Sequence, residues 1–151
     1  MRITDALLGE HGSFQVLFEE LTIAAEHALD DVPALARELA IRLAAHDAAE
    51  EETLFMPLQS RLGPQGPLGL MEMEHRRIGD LIEDIIAAEE ASLIRHRVRE
   101  LVVVTNDHFA KEEAVLFTLA EQVMDDAELH HLGSVWVRRR KAGSGKSRAV
   151  A

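Results

Sequence analysis

The ten residues His46-Asp-Ala-Ala-Glu50-Glu-Glu-Thr-Leu-Phe55 occur a second time, 62 positions later, as His108-Phe-Ala-Lys-Glu112-Glu-Ala-Val-Leu-Phe117, with six of the ten identical. The match extends backwards, since Arg37-Glu38-Leu39 stands nine residues before His46 as Arg99-Glu100-Leu101 stands nine before His108. Each copy also has an upstream histidine in a shared setting. Glu10-His11 is followed by Phe14, Leu17 and Phe18, and Glu74-His75 by Ile78, Leu81 and Ile82. The chain is therefore a tandem of one unit, an apolar-flanked Glu-His and then, 33 to 35 residues after that histidine, a His-x-x-x-Glu. Such a repeat reads as two helical hairpins that face each other and hold metal between them.

With 151 residues the chain has the length of one domain and can bury a sizeable core. Sparse aromatics and abundant Ala, Leu and Glu favour helix over sheet. The absence of cysteine excludes disulfides, iron–sulfur clusters, thiolate zinc sites and cysteine nucleophiles, and leaves nitrogen and oxygen donors as the available metal chemistry. No apolar run approaches the roughly 20 residues that cross a bilayer, and the first residues lack a signal-peptide apolar core, so the expected location is the cytoplasm, with no membrane partner.

Charge divides the chain. All 27 acidic residues lie at or before Glu128, whereas six of the 16 basic ones (Arg138, Arg139, Arg140, Lys141, Lys146, Arg148) lie in the last 14 positions. The acidic body repels nucleic acid, which is not expected as a partner, and attracts cations. Residues 1–140 are expected to form the domain and 141–151 a basic, disordered tail without apolar periodicity. Gly145-Lys146-Ser147 imitates the end of a phosphate-binding loop, but the glycine required five positions earlier is Arg140, and no helix can follow.

Helical periodicity locates the elements. Thr4 or Asp5 can cap a first helix with the stripe Leu7, Leu8, His11, Phe14, Phe18, Leu21 and Ala25. Asp30-Asp31-Val32-Pro33 ends it, and Pro33 suits the first turn of a second helix over about 34–62, carrying Leu35, Leu39, Leu43, His46, Glu50 and Leu54. Pro57 should bend that helix just beyond the His-x-x-x-Glu. After the turn at 63–67, a third helix covers about 68–90, a fourth about 93–123, and a short fifth about 125–140 whose Leu129, Leu132, Val135 and Trp136 cover one end. The expected fold is all-α: an up-down-up-down four-helix bundle with a short C-terminal helix.

His46 and Glu50 lie one turn apart on one helix face, as do His108 and Glu112. At 1.5 Å per residue, His11 and His75 lie roughly 10 Å into helices pointing one way, and Glu50 and Glu112 fall near the same level on the antiparallel partners. Four imidazoles and two carboxylates in an apolar core are costly to bury unpaired, and metal coordination removes that cost. A lone histidine on an apolar face is ordinarily a hydrogen-bonded core residue. Four at matched places in a repeat, two with a glutamate one turn on, are a different case. His27, His96, His130 and His131 lack a repeat counterpart and are expected near the surface. Glu51, Glu52 and Glu113 are expected to be solvated, and Met71 and Met73 to pack.

These residues, His11, His46-x-x-x-Glu50-Glu51-x-x-Leu-Phe, Glu74-His75 and His108-x-x-x-Glu112-Glu113-x-x-Leu-Phe, resemble the hemerythrin-like proteins, or HHE cation-binding domains, over roughly residues 4–123. The resemblance implies two non-haem iron ions with an oxo or hydroxo bridge, carboxylates bridging the metals and histidines completing the shells. Members of the family bind oxygen or other diatomics, sense oxygen or iron, or act on peroxide or nitric oxide.

One departure bears on function. Oxygen-carrying members add a histidine one turn after the third-helix histidine, and here that place is Gly79. Either water fills it, leaving an exchangeable position, or another side chain substitutes. Asp47 is the candidate, because its repeat counterpart is the apolar Phe109, and family members that sense iron make similar carboxylate substitutions. The alternative for Asp47 is to orient a histidine. The expected metal set is thus His11, His46, Asp47, Glu50, His75, His108 and Glu112. The expected function is binding of oxygen, peroxide or nitric oxide for sensing or detoxification rather than transport, with enzymatic turnover left open. The alternatives are a metal- or oxygen-responsive regulatory module and, lower, a ferritin-like di-iron oxidase. The latter needs Glu-x-x-His twice, and among the four repeat histidines the chain has it only at Glu72-x-x-His75. A metal-free bundle leaves the four histidines unexplained.

Overall fold

The computed structural model describes residues 1–63 and 67–146, with side chains through Lys141. Its described elements are all helical. Helix α1 (Ile3–His27) leads through a 3-10 turn at Leu29–Asp31 into α2 (Val32–Glu50), a π-helical turn (Glu51–Phe55) and α3 (Met56–Leu62). Helix α4 (Leu68–Ala87) is followed by α5 (Ala91–Lys111), a second π turn (Glu112–Phe117), α6 (Thr118–Val123) and α7 (Asp126–Lys146). With each π turn counted as part of the rod it interrupts, four long helices form the bundle. α1 packs on α2 and α5, and α4 on α2 and α5, as two facing hairpins require. None of the described helices is long and apolar enough to cross a membrane.

Local details depart from the sequence expectations in three places. Helix α1 begins at Ile3 rather than after Thr4 or Asp5; Asp5 acts from inside the first turn, accepting the backbone N–H of Arg2 at 3.0 Å. The last helix does not stop near 140 but runs to Lys146, into the segment expected to be a disordered tail; residues 147–151 lie outside the described residues, as do 64–66 of the expected turn. Third, the second helix is interrupted by a π turn whose closing bond runs from the N–H of Met56 to the carbonyl of Glu51. Pro57 follows it, at the start of α3, but a π turn forms in this chain without a proline as well. The matching π turn in the second repeat is followed by Leu119 where the first has Pro57. What the two turns share at matched positions is Glu51 with Glu113 and the closing Leu54-Phe55 with Leu116-Phe117, and π turns of this kind recur at functional sites.

The core is split in two. One apolar cluster holds Phe14, Leu21, Leu39, Ile85, Leu101 and their neighbours; the other holds Leu7, Leu54, Leu58, Met71, Leu116 and Leu129 among others. Along each long helix the metal-site candidates lie where the two sets meet: His11 between Leu7 and Phe14, His46 and Glu50 between Leu43 and Leu54, His75 between Met71 and Ile78, and His108 and Glu112 on either side of Phe109, with Leu101 before them and Leu116 after. A polar layer thus crosses the bundle with an apolar block on each side. Met71 packs as expected, whereas Met73 is exposed, because two residues along a helix is about half a turn.

Candidate metal centre

Six buried or nearly buried side chains meet in that layer. His11, His46, His108, Glu50 and Glu112 are at most 3% exposed, and the His75 side chain is 15% exposed. The Nε2 atoms of all four histidines and both oxygens of both glutamates are buried without a properly aligned hydrogen-bond partner among the described residues. Buried polar atoms are nearly always satisfied, so eight orphans converging at one level constitute a donor set without its acceptor. The six residues fit a divalent or trivalent cation pair with nitrogen and oxygen ligands.

The distances divide the set into two groups sharing one carboxylate. His11, His46 and Glu112 form one three-residue group capable of holding a metal ion, and His75, His108 and Glu112 the other. Glu112 Oε2 lies 3.3 Å from His11 Nε2, while Oε1 lies 2.9 Å from His108 Nε2 and 3.5 Å from His75 Nε2. Its two oxygens therefore face different histidine pairs. Glu50 Oε2 lies 3.7 Å from His75 Nε2. Each hairpin supplies one histidine pair, and each glutamate approaches a histidine of the opposite hairpin.

The imidazoles are held from behind. Nδ1–H of His46 donates to Glu10 Oε2 at 3.1 Å, Nδ1–H of His108 to Glu74 Oε2 at 3.0 Å, and Nδ1–H of His11 to Glu113 Oε1 at 2.8 Å. A carboxylate can only accept, so each bond puts the proton on Nδ1 and leaves the Nε2 lone pair turned to the centre, the tautomer a metal needs. His11 also stacks on Phe109, centroids 4.0 Å apart and planes 5° from parallel, and His75 stacks on Phe55 at 5.8 Å and 7°. His75 has no such Nδ1 anchor among the described residues, so it is the least constrained of the four.

Electrostatics follow the geometry. Burial, then the neighbouring charge of Glu112, drives the Glu50 carboxyl well above the usual carboxylate range. Burial would raise Glu112 as well, but the approach of His108, His11 and His75 outweighs it and holds that carboxyl well below the usual range. His108 is raised despite its burial, through Glu112 and then Glu74. Asp47 is raised by burial.

Asp47 stands at the edge. Its Oδ1 lies 3.9 Å from His75 Nε2, its side chain is 32% exposed, and it belongs to neither three-residue group. Gly79, one turn beyond His75, has open space where a side chain would begin. The part-exposed Asp47 and His75 thus leave the site open at the edge between α2 and α4. On the opposite side a surface cavity of about 320 Å³, lined by His11, Phe109 and Glu113 among others, lies between α1 and α5.

Sequence reasoning placed the six central residues but not their supports. Glu113, expected to be solvated, anchors His11. Glu52, expected likewise, pairs with Arg139; Glu51 is exposed. Glu10 and Glu74 were visible as matched neighbours of the two upstream histidines, yet each serves the other histidine of its hairpin, a crossing that only the folded hairpin reveals. His27, His96, His130 and His131 are exposed, as expected.

Among curated proteins, the chain is 26% identical over 147 residues to a DNA nickase of Nostoc sp. (strain PCC 7120 / SAG 25.82 / UTEX 2576), covering 97% of this chain but 40% of the nickase. The chain thus spans about two fifths of that relative's length. No solved structure matches it significantly. The sequence pattern of the hemerythrin HHE cation-binding domain matches residues 2–120, with a second match over 66–136. Covering most of the chain and every residue of the polar layer, that match establishes that the protein belongs to the hemerythrin HHE cation-binding family.

Proposed function

We propose that the polar layer holds two non-haem iron ions joined by an oxo or hydroxo bridge, and that the domain binds oxygen or a related small ligand such as peroxide or nitric oxide in sensing or detoxification. The observation that carries this reading is Glu112, whose two oxygens face separate histidine pairs. In this reading His11 and His46 would hold one iron and His75 and His108 the other, with Glu112 shared by the two groups and Glu50 a further carboxylate beside His75. Asp47 or water completes the second iron, since Gly79 offers no donor. Iron held here supplies an exchangeable position and one-electron chemistry. The protein's own residues fix the imidazole tautomers through Glu10, Glu74 and Glu113, and keep water from the buried faces with the two apolar blocks. An edge that is less saturated and richer in carboxylate favours sensing or turnover over reversible carriage. The reading includes a cytoplasmic location, which the described helices permit.

The DNA nickase relative raises nucleic acid as a partner. The acidic body opposes it, and of the basic residues that could answer it Arg139 and Arg140 are engaged by Glu52 and Glu10, so no DNA-directed role is proposed.

Metal analysis with an optical spectrum tests the assignment. Protein produced with iron is expected to carry about two irons per chain and near-ultraviolet charge-transfer bands that azide alters, both lost in His108→Ala. Peroxide consumption faster than that of His108→Ala would favour turnover; iron-dependent protease resistance without it would favour sensing. Stoichiometric zinc in place of iron would overturn the assignment.

A further inference from the structure

The two halves of the site are braced differently. In the second repeat, Glu74 is held by Lys111, whose Nζ lies 2.6 Å from Glu74 Oε1 and 2.6 Å from Asp107 Oδ2, so the support for His108 lies wholly within the bundle. The positions matching Lys111 and Asp107 in the first repeat are Ala49 and Ala45. Glu10 therefore has no cation from its own hairpin, although it sits against the buried His46. The missing braces come from α7. Arg140 lies 2.5 Å from Glu10 Oε1, Trp136 Nε1–H donates to Glu10 Oε2 at 3.2 Å, and the Arg140 guanidinium lies 6.0 Å from the Trp136 ring centre, one turn away on the same face. α7 packs on α1, on α2 and on the first π turn. It approaches α1 so closely at Gly133 that a β-carbon there would lie 2.4 Å from the carbonyl oxygen of Met1.

We propose that Trp136 and Arg140 are positioning residues for the first half of the metal centre: by holding Glu10, and through it His46, they couple docking of α7 to metal occupancy. The coupling rests on the metal-binding reading above. It runs both ways, because a docked α7 orients His46 for metal, and metal on His46 strengthens the Glu10 contact that α7 uses. The C-terminal helix thereby becomes the part of the molecule whose docking reports whether the site is filled.

The test is an anaerobic titration of the full chain with ferrous iron alone, followed by emission of Trp136, the only tryptophan, and by amide exchange of residues 134–141. Iron is expected to change the emission and slow exchange in that stretch. Arg140→Ala is expected to weaken iron binding about tenfold or more and to abolish the iron-dependent slowing. Arg140→Lys should recover part of both, and Arg138→Ala, an exposed neighbour, should match the wild type. Lys111→Ala should weaken iron binding through His108 while leaving the iron-dependent slowing in α7 in place. If the wild type takes up iron but Arg140→Ala binds it equally well, with α7 exchange indifferent to iron, the coupling is wrong and the metal centre stands. If the wild type takes up no iron, both fail.

Discussion

Glu113 Oε1 lies 2.8 Å from Nδ1 of His11, whereas Glu51, its counterpart in the first repeat, is exposed. A duplicated residue has thus kept its contact with the site in one copy alone. Removing the Glu113 carboxylate frees the His11 ring to rotate, and losses of this kind cost about 10- to 100-fold in metal affinity. Glu113→Ala is expected to show such a loss and Glu51→Ala none, by iron titration. Equal effects of the two would mean that Glu113 acts by charge alone.

Glu50 predicts an unusual pH profile for the metal-free protein. Its carboxyl is raised by burial and by Glu112, so the folded state binds that proton more tightly than the unfolded chain, and falling pH stabilises the fold as Glu50 takes it up. Glu10 and Glu74 are shifted down, against the effect of burial, Glu10 by His46, Arg140 and Trp136 and Glu74 by Lys111 and His108. Their contribution is present above the unfolded carboxylate value and is lost as pH falls through their folded values. Urea midpoints should therefore rise from neutral pH towards mild acid and then drop. Glu50→Gln should flatten the rising limb, leaving the part that the raised His108 and Asp47 contribute, and stabilise the metal-free protein at pH 7 by roughly 1–3 kcal/mol, while weakening iron binding.

Gly79 and Asp47 together decide how the open edge behaves. Gly79→His meets no neighbouring atom at its β-carbon and should raise stability by a few tenths of a kcal/mol through helix propensity, about the difference between glycine and histidine. Its imidazole, one turn from His75, should slow azide exchange at the iron centre. Asp47→Ala should lower the affinity of one of the two irons. Stopped-flow azide binding unchanged in both variants would place the exchangeable position elsewhere.

Pro57→Ala separates local from tertiary causes of the π turns. The second repeat makes its π turn before Leu119, so the turn at Glu51–Phe55 is expected to persist and iron content to stay unchanged. A structure of the variant with a regular α-helix there would show that proline is required after all.

Much of this was legible in the chain because duplication supplies its own control: a histidine at one position is ambiguous, and the same histidine again at 62 residues' remove is not. The helices, the facing hairpins and the six central side chains all followed from period and depth. What was not legible belongs to contacts that break the repeat. Glu10 and Glu74 look equivalent in sequence, yet one is braced by Lys111 and the other by residues 126 and 130 positions away. Glu113 sits next to an inward glutamate, on a face that a regular α-helix turns outward; the π turn, which no composition or spacing signals, alters that phase.

The crossed glutamates carry a final consequence. Glu112 reaches the histidines of the first hairpin and Glu50 one of the second. The first hairpin, whose two imidazoles share a group with Glu112 of the second, could close this cage only by meeting its twin. Tethering the twins in one polypeptide replaces that encounter by an intramolecular one, whose effective concentration is set by the short connection between them. Assembly of the cage then no longer depends on how dilute the protein is.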